Sequence, residues 1–387
     1  MNNKKVFLIN SLTSGGAERV LSILVNELKK QDYKIELICL EKNNFYDISQ
    51  GIQVTYLSNS YGTDNSVKKL FQLPILALKL KNYLKLNNIY IVQSHVYRAN
   101  YVNAISKLLG SKHNIQMVNA GQVSMYKLKG LIGKVNLFLI KKLYPFADKV
   151  ICKSKGMEID LQSYFKVELN TQIINNPYDV KKINYLKEEL IEDFKFKENK
   201  KYLIYVGRFD SFKKPEYVIE SLKYLDENIE LILLGDGPRK EQLVSLSEHF
   251  NIENRVHFIG RVTNPYKYMA RADVFILSSN DGEGFPNVLV EAMLCKTAVI
   301  STDCKSGPRE ILAPETDVKI QLTDKIELTD KGILIPLQNV KLMVKAINII
   351  LEDNILENKF VSNAYNRSLD FSLNTIVNKY KKVLEIE

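Results

Sequence analysis

The sequence predicts an α/β protein made of two doubly wound domains, each with a parallel sheet between layers of helices. The chain has 387 residues, which is more than one hydrophobic core ordinarily fills, so two domains are expected. Short apolar runs rich in β-branched residues alternate with helical periodicity, which is the pattern of βαβ units. This alternation breaks once, near residues 175–201, and then restarts.

In the first half, apolar runs of strand length alternate with longer segments that have one apolar helical face. Pro74 marks the start of a helix or a kink within residues 67–86, because proline lacks the N–H that a helix interior uses. The predicted strands are 5–10, 35–40, 52–57, 89–93, 115–119 and 149–152, and the predicted helices are one ending at residue 30, then 67–86, 97–109 and 131–144.

Turn residues at 175–179 and an almost apolar-free segment at 197–201 predict the linker between the domains. We expect an N-terminal domain of residues 1–178 and a C-terminal domain of residues 179–368. In the second half the predicted strands are 202–206, 230–234, 256–259, 272–277, 298–301 and a short 332–335, with helices beginning near Pro215, Pro238, Tyr266, Asn287 and Pro308 and further helices at 340–351, 355–367 and 373–384.

All the excess positive charge lies in the first half of the chain. Residues 1–180 hold 24 Lys and Arg against 12 Asp and Glu, a net charge of +12, so the remainder carries −2 of the total +10. Such asymmetry predicts a polyanionic partner, either an anionic membrane or a nucleic acid. The four cysteines have no C-x-x-C spacing, which favours buried free thiols in a reducing cytosol. We expect no signal peptide and no membrane-spanning segment.

The stretch 278–293 organises the prediction of function. A buried strand ends in a Gly-rich loop, and Pro286 fits the first turn of the helix that follows. At the N-terminus of such a helix, the free N–H groups and the positive end of the helix dipole form an anion site. Glu283 stays in the loop, whereas Asn287 and Glu291, four residues apart, share one helix face. Carboxylates that accept hydrogen bonds from hydroxyls beside an anion site indicate a nucleotide sugar as ligand.

Two further strand-loop-helix junctions point to the same ligand. After residues 202–206, Gly207 is followed by Arg208 and, five residues later, Lys213, two cations that can neutralise a diphosphate. The alternative is a solvated surface pair, which is the preferred interpretation for Lys214. Gly237 lies in the turn after the next strand and is expected to form a wall of the same site.

In the first half, Gly15 and Gly16 lie at the first strand-helix junction, where glycine lets the backbone approach a ligand closely. The G-x-G-x-x-G spacing of a dinucleotide site is absent, and a tight turn before a helix is the alternative. His95 follows a predicted strand, where either a catalytic or a structural role fits.

We expect no metal ion. No zinc-type His/Cys spacing occurs and no D-x-D pair is present, so Arg208 and Lys213 are expected to supply the positive charge that a metal supplies elsewhere. Lysines interleave with apolar residues over 127–142, which fits either a helix lying on an anionic membrane or a domain helix with one solvated face.

Together these loops resemble family 4 of the retaining glycosyltransferases, which have the GT-B fold. The similarity spans nearly the whole chain. The Glu283-x7-Glu291 element resembles the family's own, and residues 301–312 resemble a subgroup that adds hexoses or N-acetylhexosamines to lipid-linked oligosaccharides, capsules and lipopolysaccharides. The other segments that carry the resemblance are 14–19, 206–208 with Lys213, 235–238 and 272–278.

The resemblance implies a role for each matching residue. Glu283 would hold hydroxyls of the donor sugar, Glu291 would bind the ribose, and Arg208 with Lys213 would bind the diphosphate and stabilise the leaving group. A C-terminal helix at 369–387 would cross back to the N-terminal domain. The remaining residues implied to contact the nucleotide sugar are Gly15 and Gly16 at the diphosphate, His95 near the donor sugar, and the backbone of Gly284, Phe285, Pro286, Asn287 and Val288.

We therefore expect a retaining glycosyltransferase, cytoplasmic and peripheral on the inner face of the membrane. It would move a hexose or N-acetylhexosamine, such as N-acetylgalactosamine, from a UDP-sugar to a lipid-linked or surface-polysaccharide acceptor. Two alternatives are a UDP-sugar epimerase of the same architecture and a basic nucleic-acid-binding protein, but no helix-turn-helix, RNA-binding or zinc-finger motif supports nucleic acid as the partner. Lys214, where many relatives have Gly, and a longer lead-in at 280–282 depart from the family pattern.

Overall fold

The computed structural model describes residues 4–13, 15–62 and 64–385, so Ser14 of the first motif lies outside the described residues. The chain divides into two compact units, Met1–Pro177 with Leu373–Glu387, and Tyr178–Ser372. The first boundary differs by one residue from the expected position. The C-terminal segment returns to the first unit at Leu373, later than the expected residue 369, because Phe371 stays buried in the core of the second unit.

The first unit contains a seven-stranded parallel sheet in the described residues, with the order β3-β2-β1-β4-β5-β6-β7. All residues of its first two strands are buried, as expected for a parallel sheet with both faces covered. Its elements are β1 (Lys5–Ile9), α1 (Gly16–Lys30), β2 (Ile35–Cys39), β3 (Gln53–Tyr56), α2 (Ser66–Phe71), α3 (Leu73–Leu86), β4 (Ile91–His95), α4 (Tyr97–Leu108), β5 (Asn114–Asn119), α5 (Gly130–Leu143), β6 (Lys149–Cys152), α6 (Lys155–Gln162) and β7 (Thr171–Ile173).

Three details of the first unit differ from the prediction. The helix expected at 67–86 is two helices separated at Gln72, and Pro74 lies in the first turn of α3. Strand β4 extends to His95, which is therefore the last strand residue and not part of the following loop. Helix α6 and strand β7 were not predicted, because few of their residues are apolar and no clear periodicity marks them.

The second unit has its own seven-stranded sheet in the described residues, ordered β10-β9-β8-β11-β12-β14-β13, with the last strand antiparallel. The helix expected near Pro238 begins two residues later. The elements are α7 (Val180–Leu186), β8 (Lys201–Val206), α8 (Pro215–Leu222), β9 (Ile229–Leu234), α9 (Lys240–His249), β10 (Val256–Gly260), α10 (Tyr266–Met269), β11 (Val274–Leu277), α11 (Asn287–Leu294), β12 (Ala298–Thr302), α12 (Pro308–Leu312), β13 (Glu327–Leu328), β14 (Ile333–Ile335), α13 (Val340–Glu352) and α14 (Asn354–Leu369).

The last helix, α15 (Leu373–Val383), belongs to the first unit, as the resemblance implied. Ile376, Val377 and Tyr380 are fully buried there in one core with residues of α1, β1 and β2. Each fully buried side chain of this size stabilises the fold by about 1.5–3 kcal/mol relative to an exposed one. The core of the first unit therefore depends on a segment distant in sequence.

Both sheets reverse their strand order next to their first strand. In the first unit β1 lies between β2 and β4, and in the second unit β8 lies between β9 and β11. Ligands of open α/β sheets bind at the carboxyl ends of the strands at such a switch point. The loops after β1 and β4, and those after β8 and β11, are therefore the places where a ligand site is expected.

Candidate functional site

The loop after β8 holds the two predicted cations. Asp210 shapes it, since its Oδ1 accepts hydrogen bonds from the backbone N–H groups of Phe212 (3.0 Å) and Lys213 (2.9 Å). Arg208 is 71% exposed, and its Nε lies 3.7 Å from Oδ2 of Asp210. The guanidinium is thus held at the edge of the sheet by a weak contact and remains accessible to a ligand.

Glu283 lies in the loop after β11 and meets the loop after β8. Its Oε1 accepts a hydrogen bond from Nζ of Lys213, which forms an ion pair in which the carboxylate is 8% exposed and the ammonium 24%. The structure therefore brings three of the predicted catalytic residues, Arg208, Lys213 and Glu283, to two adjacent loops at the switch point of this unit.

Hydrogen bonds that the sequence did not indicate hold these two loops together. The hydroxyl of Ser278 donates to the backbone carbonyls of Lys213 and Lys214, each at 2.9 Å, and the N–H of Asn280 donates to the carbonyl of Phe212 at 2.9 Å. The only sequence feature that could have indicated these hydrogen bonds is a pair of small polar residues directly after a buried strand. These bonds fix the backbone that carries Lys213.

The glycines of the loops permit close approach of backbone to backbone. A Cβ atom at Gly237 would lie 2.4 Å from the carbonyl oxygen of Phe209, so a side chain there would displace the loop after β8. The N–H of Phe209 donates to the carbonyl of Asp236 at 3.0 Å. Gly207, directly after β8, leaves room for the hydroxyl of Tyr205. The loop after β9 thus packs on the loop after β8, and its role as a wall of the ligand site stays a prediction.

The loop that leads into α11 is covered by the loop after β12. Pro286 occupies the N-cap position and the helix begins at Asn287, so the proline lies one residue before the expected first turn. The hydroxyl of Ser306 donates to the carbonyl of Gly284 at 2.9 Å. Gly307 has φ +92°, and a Cβ atom on it would lie 2.4 Å from Cδ of Pro286. Ser306 and Gly307 are therefore part of the framework of this loop, a role that sequence reasoning missed.

The remaining predicted residues of this segment are mostly buried. Phe285 packs edge-on against Phe371 with 5.1 Å between the ring centroids. Asn287 accepts a hydrogen bond from the hydroxyl of Tyr178 at 2.8 Å. Glu291 lies one turn further along α11, as predicted, and is 1% exposed. Its contact with ribose stays a prediction, as do the contacts expected at Val288, a partly buried residue of the first turn.

A buried ion pair that sequence reasoning missed supports the loop after β12. The guanidinium of Arg309 donates to both carboxylate oxygens of Asp303, at 3.1 and 2.6 Å, and also to Glu327 at 2.9 Å. Burial raises the pKa of Asp303, and the hydrogen bonds from Arg309 oppose that shift. The only sequence feature that pointed to this ion pair was the presence of Asp303 and Arg309 within residues 301–312.

In the first unit, Gly15 and Gly16 begin α1 at the carboxyl end of β1. Gly15 is the N-cap, with a φ of −83° that any residue can adopt, and its carbonyl accepts a hydrogen bond from the Tyr46 hydroxyl at 3.2 Å. A Cβ atom on Gly15 would meet the carboxylate of Glu18. Burial raises the pKa of Glu18. Contact of Gly15 and Gly16 with a diphosphate stays a prediction.

His95 ends strand β4, next to β1 at the switch point of the first unit. The residue is 2% exposed, and its Nε2 lies 3.1 Å from Oε1 of Gln93. Burial, reinforced by the charge of Lys153, holds the pKa of His95 well below its ordinary value. The next residue, Val96, has φ +65°, a strained conformation for a β-branched side chain. Burial therefore favours the neutral imidazole of His95, which lies at a strained junction.

The cysteines are free and buried, as predicted, and burial raises the pKa of Cys39 to about 12. Within residues 4–13, 15–62 and 64–385, no three His, Cys, Asp or Glu side chains come together as a set of metal ligands. In the same ranges, no helix is long and apolar enough to cross a bilayer.

The comparisons with known proteins agree on one family. A family model described as "Glycosyltransferase Family 4" matches residues 14–182, and one described as "Glycosyl transferases group 1" matches residues 187–367. The chain is 32% identical to the N-acetylgalactosamine-N,N'-diacetylbacillosaminyl-diphospho-undecaprenol 4-alpha-N-acetylgalactosaminyltransferase of Campylobacter jejuni, with 94% of each chain covered.

Other relatives and solved structures extend this similarity. A second Campylobacter jejuni protein, an alpha-1,4-N-acetyl-D-galactosaminyltransferase whose name specifies a diNAcBac-PP-undecaprenol glycan, is 24% identical over 98% of this chain and 97% of its own. HepE of Anabaena in complex with UDP superposes with a TM-score of 0.77 at 21% identity over 99% of both chains. Sucrose-phosphate synthase of Thermosynechococcus elongatus superposes with a TM-score of 0.80 at 19% identity, over 99% of this chain and 98% of its own.

Proposed function

This chain belongs to the family 4 glycosyltransferases and is a hexosyltransferase of GT-B fold, and we propose that it transfers a hexose or N-acetylhexosamine from a UDP-sugar to a lipid-linked acceptor with retention of the α configuration. The observation that carries the proposal is the pairing of Lys213 with Glu283 beside Arg208 at the switch point of the second unit. Diphosphate needs cations, a sugar needs hydrogen-bond acceptors, and this edge offers both.

The relatives support the choice of donor and acceptor. HepE has been solved with UDP and with UDP-glucose, and the two Campylobacter relatives are named for N-acetylgalactosamine transfer to undecaprenyl-diphosphate-linked glycans. By analogy, the acceptor of this chain is a lipid-linked precursor of a surface polysaccharide, such as a capsule or a lipopolysaccharide.

The proposed mechanism depends on stabilising the departing UDP. Arg208 and Lys213 bind the diphosphate and neutralise the negative charge that grows on it as the glycosidic bond breaks. Glu283 accepts hydrogen bonds from donor-sugar hydroxyls, backbone groups of residues 284–288 contact sugar and phosphate, and Glu291 binds the ribose. The acceptor hydroxyl attacks from the face that UDP leaves, forming the new C1–O bond as the bond to UDP breaks and giving its proton to the departing phosphate oxygen, so no protein nucleophile is required. In the first unit, Gly15 and Gly16 are proposed to contact the diphosphate and His95 the donor sugar.

We propose further that these cations take the place of a divalent metal. Lys213 is an ammonium held 5.5 Å from the centroid of the Phe212 ring and paired with Glu283, so its position is fixed before ligand binds. Transfer should then proceed in the presence of EDTA at the rate seen without it.

The first unit is proposed to lie on an anionic membrane surface. Leu131 and Phe138, seven residues apart on α5, point to solvent with exposures of 78% and 59%. Exposed lysines at positions 134 and 142 share that outer face. A second exposed apolar stripe, Val67, Phe71 and Ile75, follows α2 and α3.

Helices α3 and α5 pack on the same core, so the two stripes belong to one layer of helices. Apolar side chains that can enter the headgroup boundary, surrounded by lysines that meet anionic lipids, form a peripheral membrane surface. Such a surface would keep the enzyme on the cytoplasmic leaflet, where a lipid-linked acceptor is presented.

The test is to offer the purified protein a panel of UDP-sugars with an undecaprenyl-diphosphate-linked sugar as acceptor. We expect one UDP-sugar to be consumed, with an α-linked product identified by NMR, and Arg208→Ala to consume none. Conversion of a UDP-sugar into its epimer without any acceptor would instead support an epimerase. Failure of every UDP-sugar to bind, together with strongly salt-dependent binding to DNA or RNA, would overturn the proposal.

A further inference from the structure

A buried chain of hydrogen bonds joins His95 to the last helix of the first unit. Nε2 of Gln116 donates to the backbone carbonyl of Val383 at 2.7 Å, and Nε2 of Gln93 donates to Oε1 of Gln116 at 2.9 Å. Oε1 of Gln93 then lies 3.1 Å from Nε2 of His95. All three side chains are buried, on the adjacent strands β4 and β5. Polar groups in such surroundings are costly to leave unpaired.

The backbone carbonyl of Val383, at the end of this series of hydrogen bonds, determines the direction of every bond in it. A backbone carbonyl can only accept, so the amide nitrogen of Gln116 must face Val383 and its oxygen must face Gln93. The amide nitrogen of Gln93 therefore faces Gln116, and its oxygen faces His95. Reversing either amide would place acceptor against acceptor or donor against donor. Nε2 of His95 must consequently carry the proton, and in the neutral ring Nδ1 keeps the lone pair.

The surroundings favour the neutral ring. Burial of the ring is the main cause, and Lys153, which is also buried and donates a hydrogen bond to the hydroxyl of Tyr380, disfavours a second positive charge nearby whenever it is protonated. The ring of Phe7 lies 6.1 Å away, centroid to centroid, and contributes no charge. The strained Val96 directly after His95 shows that the backbone at this junction is fixed by its surroundings.

We propose that Gln93 and Gln116 are positioning residues that hold His95 as the Nε2–H tautomer and thereby present Nδ1 as the acceptor for a hydroxyl group of the substrate. The terminal link of the chain is the carbonyl of Val383, so helix α15 takes part in fixing the imidazole. This inference rests on the contact between His95 and the donor sugar proposed above, and adds to it which nitrogen makes the contact and what fixes it.

The tautomer can be measured without any substrate. Protein labelled with ¹⁵N-histidine gives long-range ¹H–¹⁵N NMR patterns that distinguish the two tautomers, and His95→Asn identifies which of the four histidine signals belongs to residue 95. We expect the Nε2–H pattern in the wild type. We expect Gln93→Met to give a mixture of tautomers. We expect Gln93→Glu to keep the Nε2–H form, because a carboxyl group that burial holds protonated can donate to Oε1 of Gln116 and accept from Nε2 of His95. A wild-type Nδ1–H pattern, or an unchanged pattern in Gln93→Met, would overturn the assignment.

The consequence for transfer is tested on the same variants. Loss of an orienting partner typically costs about tenfold or more, so we expect Gln93→Met and Gln116→Met to lower kcat by about that factor. We expect Gln93→Glu to recover part of the loss, and Gln172→Met, a glutamine on the edge strand β7, to act as the neutral control. Circular dichroism verifies that each variant folds. If Gln93→Met or Gln116→Met does not fold, the tautomer of His95 in the wild type and in Gln93→Glu decides. Wild-type kcat in a folded Gln93→Met with a shifted tautomer would refute the positioning role.

If the wild type turned over no UDP-sugar, the proposed function would fail. The NMR measurement would still decide the tautomer, so the two failures are distinguishable.

Discussion

The ammonium of Lys213 is paired with the carboxylate of Glu283, and this contact joins loops that follow two neighbouring strands of the second unit. Both partners are largely shielded from water, so removing one takes an ion-pair partner away from a side chain that is already partly desolvated. We expect Lys213→Ala and Glu283→Ala each to lower the free energy of unfolding by about 1–3 kcal/mol.

Urea unfolding of the two variants and of the double variant measures this coupling. The double variant should be destabilised by less than the sum of the single effects, because the attraction between the two side chains can be lost only once. Strict additivity would show that the pair contributes no interaction of its own.

Arg208→Ala should abolish transfer and leave the fold intact. The side chain is exposed and its ion pair with Asp210 is long, so the change in unfolding free energy should stay within about 0.5 kcal/mol. The loss in kcat should be on the order of 100-fold or more, as for removal of a group that stabilises transition-state charge. Lys223→Ala, at the far end of α8, is the matched control for loss of an exposed cation. An active Arg208→Ala enzyme would remove the role proposed for this residue.

The buried ammonium of Lys153 predicts a pH dependence of stability. Burial lowers its pKa from an ordinary 10.5 to about 7, so between those values the unfolded chain binds more protons than the folded one. Stability should therefore rise with pH from about 7 towards 10.5, with a slope of up to about 1.4 kcal/mol per pH unit.

Urea midpoints across this pH range test the effect. Lys153→Met should flatten the rise, whereas the exposed Lys112→Met should retain it. Parallel curves for the wild type and Lys153→Met would assign the pH dependence to other groups.

Lys214 departs from the family pattern at a position where many relatives have glycine, and its backbone conformation shows why glycine suits this position. It occupies the N-cap of α8 with φ +54° and ψ +44°, a left-handed conformation that glycine adopts more easily. Lys214→Gly should leave stability unchanged or raise it by up to about 1 kcal/mol, with loss of the 3.4 Å contact to Glu216 reducing the gain. Lys214→Val should destabilise. Thermal unfolding of both variants decides, and greater stability of the valine variant would contradict the strain argument.

The apolar stripe on α5 should carry membrane binding. Replacing Leu131 and Phe138 together with serine should reduce co-sedimentation with vesicles containing anionic phospholipid by about tenfold or more, since each side chain contributes roughly 1.5–3 kcal/mol when buried. Ile355→Ser, an equally exposed apolar residue of the second unit, should have no effect. Undiminished binding of the double variant would show that the apolar stripe on α5 does not carry membrane binding.

Much of this architecture could be predicted because local patterns determine it. The apolar run before Ser278, the glycines of the next loop and the helical spacing of Val288, Leu289 and Ala292 suffice to locate the junction at α11. The pairing of Lys213 with Glu283 could not be predicted from spacing, since 70 residues separate them and only the strand order makes them neighbours.

His95 was expected in a loop because a polar side chain at the end of an apolar run usually marks the end of a strand. Its partners Gln93 and Gln116 sit in buried strands, where local patterns favour apolar residues. Pairing between two strands satisfies them, and no single stretch of sequence contains that information.

Helix α15 has a consequence for biosynthesis. On the ribosome, residues 4–177 emerge first, yet the surface that Ile376, Val377 and Tyr380 cover stays open until the whole second unit has been translated. The earliest part of the enzyme to be made is thus the last to be completed. A nascent chain must carry an exposed apolar face for the time that nearly two hundred codons take to be read, and that interval is when it most needs a chaperone.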